Sequence, residues 1–371
     1  MAAHGRYSQE MDHIEKPHEG RVESVDAFRG FTMFMLIAQG FGLRRLGDYP
    51  FWGVLARQFD HPWSGIHYWD IIEPSFMFIV GVVIPFAITR RLARGESRGQ
   101  VLRHVITRSI ILFLLGNATY CTGAGHLVWA PWSVLNLIAV SYLISYLLMD
   151  TSVKVQAAVC AVLIIGTDIA YRGYGMAVGA DPFVIDHNLG SYVDLLLIGR
   201  LYENGDGWVF LDCVPSTAFT LCGVMAGTLL KSDRTPAEKM KILLTAGLPL
   251  IVLGYALSPI DPMIKRICTA SYMVAACGYC IVIMAFFYWL VDVKGQGRWL
   301  KFMTIVGMNS IFIYMTMQIA GGFIDKTVAA FTMDILRPLE VTGLIIHDNV
   351  VIFVQWYLCY WLYRNKIFFR I

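Results

Sequence analysis

A chain of 371 residues that is 57% hydrophobic and only 15% charged, with a mean hydropathy of +0.57, is too apolar to hide its surface in a soluble core. The net charge of +3 says little by itself; where the positive residues sit says more. Composition therefore excludes a soluble enzyme or binding module and leaves the bilayer as the solvent.

Residues 1–20 are polar and lack the apolar centre of a signal peptide, which predicts a disordered cytoplasmic tail ahead of a single membrane domain over 21–371. Crossing a bilayer takes about 20 mostly apolar residues. Ten such stretches follow, near 27–46, 69–89, 105–122, 132–149, 155–171, 209–230, 242–258, 267–291, 302–320 and 343–363. The predicted fold class is all-α, a polytopic membrane helical bundle with about ten transmembrane helices. The apolar runs are twice the length of a barrel strand and do not alternate, so strands do not compete. No linker and no fixed-period repeat divides the chain.

With the N-terminus inside, the loops on that side together with the adjoining helix ends hold 21 of the 30 Lys and Arg, most densely at Arg90, Arg91, Arg94, Arg98, Arg103 and Arg108. The excess predicts that both termini are cytoplasmic. Short basic loops of this kind face membrane lipid, and nucleic acid is not an expected partner. The lack of a cleavable signal fits a bacterial inner membrane. The eight Cys lie mostly inside apolar spans, and Cys277 and Cys280 have no redox-fold context, so all read as packing. The outer segments 44–68, 172–208 and 321–342 are long, which points to chemistry at that face.

Just before the second span, Asp60-His61-Pro62-Trp63-Ser64-Gly65-Ile66-His67-Tyr68-Trp69-Asp70 combines imidazole, carboxylate and large aromatics. A His whose tautomer is fixed by a carboxylate suits acyl or proton transfer at neutral pH. The competing reading makes His61 and Trp63 an interfacial anchor. No metal is expected, because nothing else of ligand type clusters with His61, His67 and Asp70. Asp26 and Arg29, three apart, share a face of the first helix and can pair. Glu73, Asn136, Asp168, Asp212, Ser216, Lys265, Thr269, Asn309 and Gln318 are further polar groups at or in the spans. Singly each serves as interhelical hydrogen-bond glue worth about 1 kcal/mol or less; together they point to a polar cavity.

These residues resemble the transmembrane acyltransferases typified by heparan-alpha-glucosaminide N-acetyltransferase, with bacterial relatives in the N-acetylglucosamine-utilisation group. Arg21-Val22-Glu23-Ser24-Val25-Asp26-Ala27-Phe28-Arg29-Gly30 resembles the opening R-x-x-S-x-D-x-x-R-G. His61-Pro62-Trp63-Ser64-Gly65 followed by Asp70, Pro74, Phe76, Phe78 and Gly81 resembles the H-x-W-x-G, D, P-x-F-x-F-x-x-G signature. Weaker likenesses follow at Val134 to Ala139, at Asn188 with Tyr192 and Asp194, at Lys265 with Thr269 and Ser271, and at Gly307-Met308-Asn309. The chain departs from the pattern at Gln39 (Asn in the animal enzyme), at Asn136 and Leu137 (Gln-Arg), at Cys268 (Trp), and at Asp206-Gly207-Trp208-Val209 (D-P-E-G).

The resemblance implies a membrane acyltransferase moving an acetyl group from acetyl-CoA, as co-substrate, to an amino sugar or related saccharide at the outer face. His61 is then the catalytic residue and Asp70 its orienting partner. Trp63 would stack on a sugar, and Lys265, Asn188 and Asn309 would contact donor phosphate or acceptor hydroxyls. Asp26, Arg29, Gln39, Asn136, Asp194 and Thr269 complete the expected donor- or substrate-binding set. The alternatives are a sugar or amino-sugar transporter and a catalytically inactive relative. A homodimer is one assembly such a bundle allows.

Overall fold

A computed structural model describes residues 22–202 and 205–369. The expected tail over 1–20, Arg21 of the opening motif and Arg370 lie outside the described residues. Among the described residues every regular element is helical. In chain order they are α1 (Glu23–Ala38), α2 (Trp52–Arg57), α3 (Ile72–Ala93), α4 (Arg98–Ala124), α5 (Val134–Leu148), α6 (Val153–Val178), α7 (Leu189–Leu197), α8 (Thr217–Lys231), α9 (Pro236–Leu257), α10 (Ala270–Phe287), α11 (Lys301–Gly307), α12 (Ser310–Leu336) and α13 (Glu340–Arg364).

Seven helical stretches are long and apolar enough to cross a membrane, and the last of them, Ser310–Arg364, contains both α12 and α13. The chain is a polytopic membrane bundle; length and composition count seven such stretches where the sequence predicts about ten. Part of the difference is local chemistry. α1 stops at Ala38 and not at 46, because Gln39, Gly40, Phe41 and Gly42 all take positive φ (43°, 84°, 56° and 75°), a run that no right-handed helix accommodates. α5 has 15 residues and, at about 1.5 Å per residue, falls short of a hydrocarbon core of about 30 Å.

The span expected at 302–320 is also interrupted. Asn309 leaves the helix (φ −122°, ψ 42°) while its side chain donates to Ile367 O at 3.1 Å and accepts from Phe369 N at 2.9 Å. The loop expected at 321–342 is mostly helix instead. α12 continues past Gly321-Gly322 and Asp325-Lys326 to Leu336 and is tied to α13 by the Thr332 Oγ1 to His347 Nδ1 contact at 2.9 Å.

Glycines set the tightest packing. α3 and α8 run parallel: a methyl at Gly81 would strike the Thr220 carbonyl, one at Gly223 the Phe78 carbonyl and one at Gly227 the Val82 carbonyl. Small residues four apart let backbones approach in this way in membranes. The same device joins α1 to α11, where Gly30 and Gly307 abut. α3 and α8 are therefore the most buried helices, while α6 and α9 present mostly apolar outer surface.

α1 and α13 are antiparallel, since Gly42 packs on Ile345 and Asp348 near the start of α13 and Phe34 stacks edge-on with Phe302 near its far end. Residue 23 and residue 364 thus sit at one end of the bundle. His61, ahead of α3, sits at the other.

Candidate active site

The site is assembled where α3 and α8 begin. A 3₁₀ turn, Tyr68–Ile71, leads into α3, and its third residue, Asp70, is 1% exposed. Asp70 Oδ1 accepts from His61 Nδ1 at 2.6 Å, and Oδ2 accepts from the His67 backbone N–H at 2.9 Å. Tyr272 Oη donates to the Asp70 carbonyl at 2.8 Å, fixing the turn against α10. The His61 carbonyl in turn accepts from Arg266 Nη2 at 3.2 Å. A buried carboxylate holding Nδ1–H leaves Nε2 as the basic and nucleophilic nitrogen.

Burial is the largest influence on His61 and pulls its imidazole below the ordinary value of 6.5. The Asp70 hydrogen bond opposes that shift and the charge of Lys265 adds to it. The ring is thus kept neutral under conditions where an exposed His would be partly charged.

The His61 ring lines a cavity of about 360 Å³ shared with Glu73 of α3, Asp212, Lys265, Trp208 and Gln318. Thr32, Met33 and Leu36 of α1 carry its wall into the bundle. Lys265 Nζ pairs with Glu73 Oε2 at 3.2 Å, both nearly buried, and lies 5.2 Å from the centre of the Trp208 ring. Trp208 meets His61 edge-on at 5.9 Å. A second cavity of about 440 Å³ shares Tyr120, Trp132, Ser133, Tyr202 and Gln318 with the first and adds Arg200.

Past the end of α6 at Val178, the described residues of 179–208 lie against this mouth, with Tyr202, Asp206 and Trp208 in the cavity wall. Arg172 bonds Asp168 and the Ile260 carbonyl, Trp63 Nε1 donates to Phe183 O at 3.2 Å, and Gly207 lies where a side chain would meet Trp63 and Ile185.

Of the residues expected from the sequence, His61, Asp70 and Lys265 come together, and Glu73, Asp212 and Gln318 of the polar set line the same cavity. The rest are placed elsewhere or committed to scaffold. Asp26 and Arg29 pair at 2.7 Å on α1 outside the cavity wall. Gln39 caps α1 in the exposed left-handed turn. Trp63 packs under the covering segment with Val209, Ile264 and Ile267. Asn136, fully buried, donates to Phe113 O at 2.8 Å and accepts from Ser133 N at 3.2 Å, joining α5 to α4.

Asn188 caps α7 through Ser191 N at 3.1 Å and donates to Val184 O at 2.9 Å. Asp194 accepts from Trp132 Nε1 at 2.7 Å and Phe210 N at 3.1 Å; burial pushes its carboxyl up to about 6 against those donors. Thr269 braces the loop that carries Lys265, donating to Pro262 O at 2.7 Å. Asn309 holds the C-terminal segment at the opposite end of the bundle.

Sequence reasoning missed the aromatic wall of Trp208, Trp132, Tyr120 and Tyr202, and it missed Arg266, which pairs with Asp206 at 3.8 Å. The one available signal for Trp208 was its place in the departure from D-P-E-G. Among the described residues no group of three or more His, Cys, Asp or Glu is arranged to hold a metal ion.

A family model described as heparan-alpha-glucosaminide N-acetyltransferase, catalytic, matches residues 21–258. Heparan-alpha-glucosaminide N-acetyltransferase of Homo sapiens is 25% identical over 418 residues, covering 95% of this chain and 60% of that protein. The Mus musculus protein is 25% identical over 416 residues with the same coverage. The chain thus spans 60% of the length of these curated relatives.

Proposed function

We propose, for a chain that belongs to the heparan-alpha-glucosaminide N-acetyltransferase catalytic family, that it transfers an acetyl group from acetyl-CoA to the amino group of an amino sugar or related saccharide. The observation that carries this reading is the His61 ring, held at Nδ1 by buried Asp70 at 2.6 Å and lining a cavity. A neutral Nε2 can take the acetyl group itself, or take a proton from the amine as its nitrogen attacks the thioester carbon. In either route the carbon–sulfur bond breaks, the thiolate leaves and is protonated, and an amide is formed. Asp70 steadies the imidazolium that appears along the way. Lys265, anchored by Glu73, places a positive charge near the developing oxyanion.

The donor's thioester end would reach His61 along the wall formed by Thr32, Met33 and Leu36. The membrane is read as a bacterial inner membrane, and the orientation with both termini cytoplasmic is supported by the Lys and Arg excess and by residues 23 and 364 sharing one end of the bundle. Asp60→Cys labels from outside intact cells and Lys231→Cys does not; labelling of 231 from outside inverts the topology. The test of function is transfer of radiolabelled acetyl from acetyl-CoA to a panel of amino sugars by the purified protein. Labelled N-acetyl product from wild type and none from His61→Ala is the expected result. Substrate uptake into vesicles without any labelled product would replace the reading by transport.

A further inference from the structure

We infer that Asp212 is the residue that receives the acceptor's ammonium group and makes the cavity prefer amines to hydroxyl compounds of the same shape. The inference rests on the acyltransferase reading for the fate of the amine, but not for its binding.

α3 and α8 open in the same way. The 3₁₀ turn Tyr68–Ile71 precedes α3 and the turn Phe210–Cys213 precedes α8. Each turn begins with an aromatic residue and has Asp in third place, and each Asp is followed eleven residues later by a glycine, Gly81 or Gly223, at the α3–α8 contact. Asp70 and Asp212 are therefore equivalent positions in two parallel elements packed side by side, and they differ in what they bind. Asp70 is committed on both oxygens, to His61 and to the His67 N–H. Asp212 is 2% exposed, lines the same cavity as His61, and has no hydrogen-bond partner for its Oδ1.

Charge pairing around the cavity isolates the same residue. Glu73 is matched by Lys265 at 3.2 Å and Asp206 by Arg266 at 3.8 Å. Among the described residues no ion pair reaches Asp212, whose charged neighbours Glu73, Asp194 and Lys265 are all otherwise engaged. Buried polar groups are nearly always hydrogen-bonded, and an orphan costs free energy. Ionised, Asp212 lacks a cation; protonated, it lacks an acceptor for its hydrogen. In the first case a ligand ammonium supplies both the hydrogen-bond donor and the missing positive charge, where a hydroxyl supplies the donor alone, and a wall that includes Trp132, Tyr120 and Tyr202 suits the apolar face of a sugar ring. A cationic saccharide meets both features.

The test compares glucosamine with glucose, which differ by one amine, in equilibrium binding to full-length protein and, for glucosamine, in transfer kinetics with labelled acetyl-CoA. Wild type is expected to bind glucosamine at least about tenfold more tightly than glucose. Asp212→Asn should erase that preference and raise the glucosamine KM about tenfold or more with a smaller change in kcat. It should also leave thermal stability equal or higher, which a structural carboxylate would not do. Asp212→Glu should keep part of the preference, and it decides the matter should the Asn variant not fold. An Asn variant that keeps the preference overturns the inference, as does a Glu variant or a wild type that binds both sugars equally. Amine preference that depends on Asp212 without any acetylated product leaves the amine site standing and removes the acyltransferase reading. Transfer that ignores Asp212 does the reverse.

Discussion

The described residues contain two imidazole–carboxylate pairs built with opposite exposure. In His61–Asp70, at 2.6 Å, the carboxylate side chain is 1% exposed and the imidazole 27%. In His347–Asp325, at 3.1 Å, the imidazole is 5% exposed and the carboxylate 55%. His61 uses one ring nitrogen and presents the ring to a cavity. His347 uses both, toward Asp325 and toward Thr332, and lines neither cavity described above. The difference teaches that a His beside an acid is not in itself a site. Catalytic capacity needs a buried, satisfied carboxylate behind the ring and unspent hydrogen-bonding capacity in front of it, facing volume that a substrate can fill.

The comparison breaks most sharply at His61. His61→Ala should lower acetyl transfer by about a thousandfold or more, because no other group replaces Nε2. The structure also sets a cost that the boundary position alone does not suggest: Asp70 loses one of its two donors, worth about 1–3 kcal/mol for a buried acceptor. The double variant His61→Ala, Asp70→Asn should recover much of that stability and none of the activity, measured by thermal melting beside the transfer assay. Retained activity in His61→Ala would transfer the chemistry to another residue.

Next in size is Asp70→Asn, expected to cost about 10²–10⁴ in rate by freeing the ring to take the other tautomer. pH sharpens the test. Transfer needs neutral His61, so the wild-type rate should fall on the acid side, as pH drops through the His61 pKa, and the midpoint should lie below 6.5 because burial lowers it. The Asp70 hydrogen bond raises that pKa, so its removal should move the acid limb to still lower pH. A limb that stays in place, or moves up, separates Asp70 from His61.

Only part of this was legible in the sequence. Apolar runs and basic loops revealed a helical membrane bundle because hydropathy and charge are read directly by lipid. They could not reveal the break at Asn309 or the left-handed turn after Ala38, which depend on partners 58 residues away and on a run of backbone angles. His61 and Asp70 were visible as a pair, nine residues apart across a loop. The remaining expected residues show the limit of motif reading: Asn136, Asn188 and Thr269 are polar, buried and near the site, yet their hydrogen bonds are spent on backbone. Sequence records polarity but not whether that polarity is already satisfied. Trp208 and Asp212 escaped emphasis for the converse reason, since their importance comes from a wall and from an absence of partners that only folding creates.

His347→Ala tests the other pair, and its effect should be on stability. The change removes a nearly buried ring that links α12 to α13 and costs about 1–3 kcal/mol. Transfer per folded molecule should stay within about twofold of wild type. A loss of rate comparable with that of Asp70→Asn would make the two pairs functionally coupled and erase the distinction drawn between them.

The smallest effect is expected at His67, and it isolates what holds Asp70 in place. His67 contributes its backbone N–H to Asp70 Oδ2 at 2.9 Å, while its ring meets the Asp60 carbonyl at 3.2 Å in an exposed position. Any residue with an amide hydrogen supplies the first contact, and the second is an exposed neutral bond worth about 1 kcal/mol or less. His67→Ala should therefore keep transfer within about twofold of wild type and leave the acid limb where it is. Proline at 67 removes the amide hydrogen itself, so His67→Pro should approach Asp70→Asn in rate and pH profile. Equal behaviour of the two substitutions would mean that the orientation of Asp70 comes from Tyr272 and the His61 ring alone.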